Sequence, residues 1–119
     1  MRSSYQKGLH ILATLHVKDD QLMTDCERWL SHTALLLSKH ELTEVGRTFH
    51  VFPNNSFTAA FCLKESHICI HTWPEFSQVS MDIYVCNLME DNTNKAKRIY
   101  HDLVEFFNAS IVEETEINR

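Results

Sequence analysis

The chain has little that breaks or links structure. It holds two glycines and two prolines in 119 residues. No segment reads as a linker, so residues 1–119 are expected to form one domain. There is no Cys-x-x-Cys pair. Cys26, Cys62, Cys69 and Cys86 are scattered and read as reduced thiols of a cytoplasmic protein. No basic cluster is present to neutralise phosphates, and the formal net charge is -5, which argues against a nucleic-acid partner. No apolar run approaches a membrane span. Residues Met1 to Lys7 lack the apolar core of a signal peptide. Glu113, Glu114 and Glu116 gather near the C-terminus and read as a solvated strand edge.

Hydrophobic residues make up 44% and charged residues 23%, a globular composition with one modest core. Leu9, Ile11, Ala13, Leu15 and Val17 alternate, which predicts a strand with one buried face. Asp19 and Asp20 offer N-caps for a helix carrying Leu22, Cys26, Trp29, Leu30, Leu36 and Leu37 on one side. Gly46 marks a break after it or in the turn beyond. Arg47–Phe52 reads as a second strand, Pro53-Asn54-Asn55-Ser56 as a turn, and Phe57, Ala59, Phe61 and Leu63 as the inner face of a third. His67–Trp73 alternates again and Pro74 ends it. Val79, Met81, Ile83 and Val85 form the inner side of a fifth strand. Asn92 or Thr93 caps a helix with Ala96, Ile99, Leu103, Phe106 and Phe107 in one stripe. Ser110–Ile117 closes the chain as a strand. The order β-α-β-β-β-β-α-β predicts an α/β (α+β) two-layer sandwich, with an antiparallel sheet and two helices on one face. The other face, with His67, Cys69, His71, Tyr84 and Cys86, needs cover, which a second copy could supply.

The densest chemistry lies in Lys64–Glu75, which reads KESHICIHTWPE. Glu65-Ser66 places a hydroxyl beside its own preceding carbonyl. Attack there shifts the acyl group from nitrogen to oxygen. β-Elimination of the ester then leaves a chain ending at Glu65 and a dehydroalanine that hydrolyses to a pyruvoyl group, an electron sink. Taken alone, the tripeptide is more simply an ordinary hairpin turn. His67, Cys69 and His71 share one face of an extended segment. Three readings stay open for them: an inert half-buried face first, then a metal site, then acid–base machinery beside Ser66.

Glu65-Ser66-His67-x-x-Ile70-His71-Thr72-Trp73-Pro74-Glu75 resembles the signature of the small bacterial and archaeal S-adenosylmethionine decarboxylases, which are pyruvoyl-dependent and self-processing. Gly8-x-His10, Phe49-His50-x-Phe52, Asp82, Cys86 and Val112–Arg119 match in order, so the resemblance covers nearly the whole chain. It implies cleavage of the Glu65–Ser66 bond into residues 1–65 and 66–119, with Ser66 becoming the pyruvoyl cofactor and no metal. It further implies His71 as the base of processing, Cys86 as the proton donor to the product carbanion, Phe52 stacked on adenine and Glu75 on the ribose hydroxyls. The product would be the aminopropyl donor for spermidine synthesis. The partner implied is a second protomer, because the family's active sites sit where two protomers meet.

Three departures stand out. Thr58-Ala59 replaces a serine–glycine stretch, with Thr58 keeping the hydroxyl that supports processing. Phe76-Ser77-Gln78-Val79-Ser80 replaces Tyr-Gly-Tyr-Ala-Ala and could reshape the substrate pocket. Asn87 replaces a glycine after Cys86 and can also adopt positive φ. The altered pocket leaves two alternatives: decarboxylation of another amino acid, such as arginine or ornithine, and an unprocessed homologue acting as a binding partner.

Overall fold

In the computed structural model, residues 5–87 and 90–119 are described. Residues 1–4 of the N-terminal segment lie outside them. The elements are β1 (Leu9–His16), α1 (Asp20–Met23), α2 (Cys26–Lys39), β2 (Glu44–Val51), β3 (Phe57–Leu63), β4 (Ser66–Trp73), β5 (Gln78–Val85), α3 (Thr93–Phe106) and β6 (Ser110–Asn118), with a 3-10 turn at Pro74–Phe76. The strands form one six-stranded sheet in the order β2-β3-β4-β5-β1-β6. Every neighbouring pair is antiparallel. This is the expected α+β sandwich, with the helices on one face.

Alternation decides which face they cover. Leu9, Ile11, Leu15, Phe57, Phe61, Ile68, Ile70, Val79 and Ile83 point into the core with Trp29, Leu37, Ile99 and Leu103 of the helices. The Trp29 ring packs on Phe57 and Phe61 at centroid distances of 6.1 and 5.7 Å. Each fully buried aliphatic side chain here contributes about 1.5–3 kcal/mol relative to exposure. Thr72 is a buried polar residue on the inner face. Its hydroxyl donates to the Met23 carbonyl at 2.8 Å and accepts the Phe57 N–H at 2.9 Å, tying α1 to the sheet.

Three details differ from the sequence expectation. The first helical stretch is two helices, because Thr24 and Asp25 interrupt it. Asp19 caps α1 at the Gln21 N–H, and Asp25 caps α2 at the Arg28 N–H. The break after α2 falls at Glu41, which takes φ 59°, while Leu42 N–H closes back on the Leu37 carbonyl at 2.9 Å. A left-handed residue with this closing bond is a usual helix stop, normally supplied by glycine. Gly46 instead lies inside β2, where the pairing register shifts between Glu44 and Gly46. All of β6 is exposed, so the three glutamates do sit on a solvated edge, where charge discourages further strand pairing.

Candidate active site

Ser66 begins β4, directly opposite Leu63 of β3. Lys64 and Glu65 are therefore the whole hairpin loop. Neither has positive φ, although two-residue hairpins favour turns that need it. The Glu65–Ser66 bond thus joins a loop of less favoured geometry to a strand. Across the sheet, His67 pairs with Tyr84 of β5, which brings Cys86 alongside Ser66. The Cys86 N–H donates to Ser66 Oγ at 2.9 Å, and Cys86 Sγ lies 3.9 Å from Glu65 Oε2. An N–H aimed at Oγ stabilises negative charge there as the hydroxyl loses its proton. Glu65, Ser66 and Cys86 line a cavity of about 190 Å³ with Leu42, Leu63 and Asn92.

The other residues implied by the resemblance gather at the opposite end of the sheet. His71 faces Thr58 across β3–β4, and its Nδ1 is hydrogen-bonded to Thr58 Oγ1 at 2.9 Å. Phe52, Thr58, His71, Trp73 and Glu75 line a second cavity, of about 210 Å³. Each cavity is smaller than the about 300–1,000 Å³ typical of ligand pockets. His71 does not stand beside Ser66 within one chain, as its proximity in sequence suggests. Five residues of extended strand separate them by about 16 Å, and an odd spacing points their side chains to opposite faces.

The alternating row His67, Cys69, His71 is split three ways. His71 goes to Thr58. His67 Nε2 lies 3.4 Å from Asp82 Oδ1, the same oxygen that contacts His10 Nε2. Burial, and then Asp82, push the Cys69 thiol pKa up. The ligand atoms of His10, His67 and Asp82 fall within 4.8 Å of one another, a spacing that a metal could bridge. However, Arg119 Nη1 lies 3.4 Å from His10 Nδ1. A guanidinium only donates, so Nδ1 accepts and Nε2 carries the proton that goes to Asp82. The geometry is that of a hydrogen-bond network on the open sheet face.

Several residues of the site region carry no signal in a pattern of types. Asn87 does not have positive φ. It is buried and used for its side chain: Nδ2 donates to the Lys7 carbonyl at 2.8 Å, and Oδ1 accepts the Asn92 N–H at 2.7 Å. Asn92 Nδ2 in turn donates to the Cys86 carbonyl at 3.0 Å. Together they hold the segment that carries Cys86. Ser77, just beyond Glu75, takes φ 52°, a left-handed conformation that costs a non-glycine residue about 1–2 kcal/mol.

The comparisons with known proteins bear on the family and the fold. Residues 9–119 match the family described as S-adenosylmethionine decarboxylase. The chain is 33% identical over 100 residues to an S-adenosylmethionine decarboxylase proenzyme of Archaeoglobus fulgidus, covering 84% of this chain and 86% of that protein. It is also 33% identical over 107 residues to the proenzyme of a Sulfurihydrogenibium species, covering 82% and 80%. The crystal structure of the adenosylmethionine decarboxylase from Aquifex aeolicus superposes with a TM-score of 0.78 at 25% identity, covering 98% of this chain and 91% of that one. The family match and these relatives define a carboxy-lyase. The chain belongs to the S-adenosylmethionine decarboxylase family.

Proposed function

We propose that the protein is a self-processing, pyruvoyl-dependent decarboxylase of S-adenosylmethionine, active as a homodimer, that supplies the aminopropyl donor for spermidine synthesis. Family membership supports the reaction. The observation that carries the rest is the partition of the site, with Ser66 and Cys86 at one end of β4 and Thr58, His71, Phe52 and Glu75 at the other.

Two chains related by a two-fold axis, open faces together and strands antiparallel, would lay each end on its complement. Two equivalent composite sites would result, as a symmetric pair requires. His71 and Thr58 of one protomer would then serve the Ser66 α-proton of the other, which leaves Cα on the side away from Oγ and toward the open face.

Processing in this reading balances as follows. Ser66 Oγ attacks the Glu65 carbonyl carbon. The C–N bond breaks, the hydroxyl proton passes to the Ser66 nitrogen, and an ester remains. His71 removes the Ser66 α-proton, the Cβ–Oγ bond breaks, and Glu65 leaves as a carboxylate. Water replaces the nitrogen of the resulting dehydroalanine, and ammonia departs. The pyruvoyl group so formed supplies an electron sink for the electrons left as carbon dioxide leaves. Cys86 holds the proton that returns to that carbon, a task suited to a thiol whose acidity follows its surroundings. Phe52 offers a face for adenine and Glu75 an acceptor for ribose hydroxyls.

The test is carbon dioxide release from carboxyl-labelled S-adenosylmethionine, arginine and ornithine by the purified protein. Release from S-adenosylmethionine alone is expected. Release only from one of the amino acids would overturn the substrate assignment, and release from none would favour a binding role.

A further inference from the structure

We propose that Asn54 is a specificity-determining positioning residue for Glu75, fixing the carboxylate that receives the nucleoside sugar. The inference rests on the reading that Glu75 accepts the ribose hydroxyls.

Asn54 lies in the loop between β2 and β3. That loop is closed by Phe52 N–H to the Ser56 carbonyl and Asn55 N–H to the Phe52 carbonyl, both at 2.8 Å. The two ends of the Asn54 amide do different work. Its oxygen is held inside the loop, accepting the Ser56 hydroxyl at 2.6 Å and the Ser56 N–H at 3.1 Å. Those two bonds fix which end is oxygen, because an amide nitrogen cannot accept a backbone N–H. The nitrogen is therefore turned outward, 3.4 Å from Glu75 Oε2. Among the described residues, no other side chain is hydrogen-bonded to that carboxylate.

Glu75 needs such a guide. It sits in the first turn of a 3-10 segment three residues long, with no buried side chain in it. A free glutamate at an exposed turn samples several rotamers, and ordering it on binding costs affinity. With one oxygen held by Asn54, the other is left to accept a sugar hydroxyl, and the carboxylate is oriented beforehand. Ser56 is buried, so the guide is anchored in the fold and not in solvent. The contact also bridges the β2–β3 loop and the segment after β4. It thereby couples the wall that carries Phe52 to the wall that carries Glu75.

The test separates the two ends of the amide. Asn54→Asp keeps the oxygen that accepts from Ser56 but removes the donor to Glu75. Asn54→Ala removes both. For each, intact mass reads processing, and labelled carbon dioxide release from S-adenosylmethionine reads kcat and KM. Both variants should process fully and keep kcat, with KM raised about fivefold to tenfold, within the range of an ordinary net hydrogen-bond contribution. The Asn54→Asp defect should shrink as pH falls, because adjacent carboxylates can share a proton. In a Glu75→Gln background Asn54→Asp should add less than about a twofold effect, since the glutamine amide can donate to the new carboxylate. If Asn54→Asp matches the wild type while Asn54→Ala is impaired, Asn54 only shapes the loop and the inference is wrong. If wild-type protein releases no carbon dioxide from S-adenosylmethionine, the decarboxylase reading falls first and takes this inference with it.

Discussion

Gly8 lies against the backbone of Cys86 so closely that a Cβ at position 8 would stand 2.8 Å from Cys86 Cα and 2.5 Å from the Val85 carbonyl oxygen. On its other side Gly8 exchanges backbone hydrogen bonds with Arg119 at 2.8 and 3.0 Å. The start of β1 is thus wedged between the end of β6 and the residue that holds the thiol. Both obstacles are backbone, so neither can swing away. Gly8→Ala should lower stability by about 1–3 kcal/mol, the usual cost of forcing extra volume into a packed site. It should also displace Cys86 relative to Ser66 and slow turnover. Thermal unfolding and labelled carbon dioxide release check both effects. An alanine variant of unchanged stability would mean that the contact relaxes freely.

The partition of the site makes a sharper prediction. Ser66→Ala protein has no nucleophile, and His71→Ala protein has no base for elimination. Each alone should fail to yield the two chains, and His71→Ala should stall at an ester that hydroxylamine splits. Unfolded together and refolded, the two variants can form mixed dimers. One composite site then receives intact Ser66 from one chain and intact His71 from the other. Half of the chains in a mixed pair, those that carry Ser66, should be cleaved on refolding. No cleavage in the mixture would mean that His71 acts on its own chain or not at all.

The sheet was legible in the sequence because a half-buried antiparallel strand writes its faces as strict alternation. Leu9–Val17, Phe57–Leu63 and Val79–Val85 all do so, and each is buried as expected. The helix break was not legible, because Thr24-Asp25 interrupts a continuous apolar stripe without glycine or proline. The stop at Glu41 was hidden for the same reason, since a non-glycine residue takes the left-handed turn. Proximity in sequence misled for His71. Along a strand, five residues are a long distance and an odd number of faces. Cys86 and Ser66 are 20 residues apart, yet they meet because the β4–β5 register pairs His67 with Tyr84. The Asn54, Asn87 and Asn92 contacts depend on side-chain geometry, which residue type does not encode.

His32 provides a pH test of the helical layer. Its ring lies 4.6 Å from that of Phe106, and its Nε2 is buried without a hydrogen-bond partner. Burial pushes its pKa below the ordinary value of 6.5, with Arg28 adding to the effect and Asp102 opposing it. Above pH 6.5 both folded and unfolded states hold the ring neutral. Below it the unfolded chain takes up a proton first, so stability falls until pH passes the lowered folded value. His32→Phe keeps the ring contact and removes the titration. Chemical denaturation at pH 7.5 and 5.5 should therefore show a smaller loss for the variant than for the wild type. Equal losses would show that His32 is as protonatable in the fold as in the free chain.

Everything proposed for the site depends on the protein cutting its own Glu65–Ser66 bond and turning residue 66 into a ketone. Intact-mass measurement of the purified, denatured protein tests this most directly. Two chains are expected, residues 1–65 with an ordinary carboxyl end and residues 66–119 with a pyruvoyl end, and a single uncut chain for Ser66→Ala. A single uncut wild-type chain, or cleavage that persists at the same bond in Ser66→Ala, would contradict it.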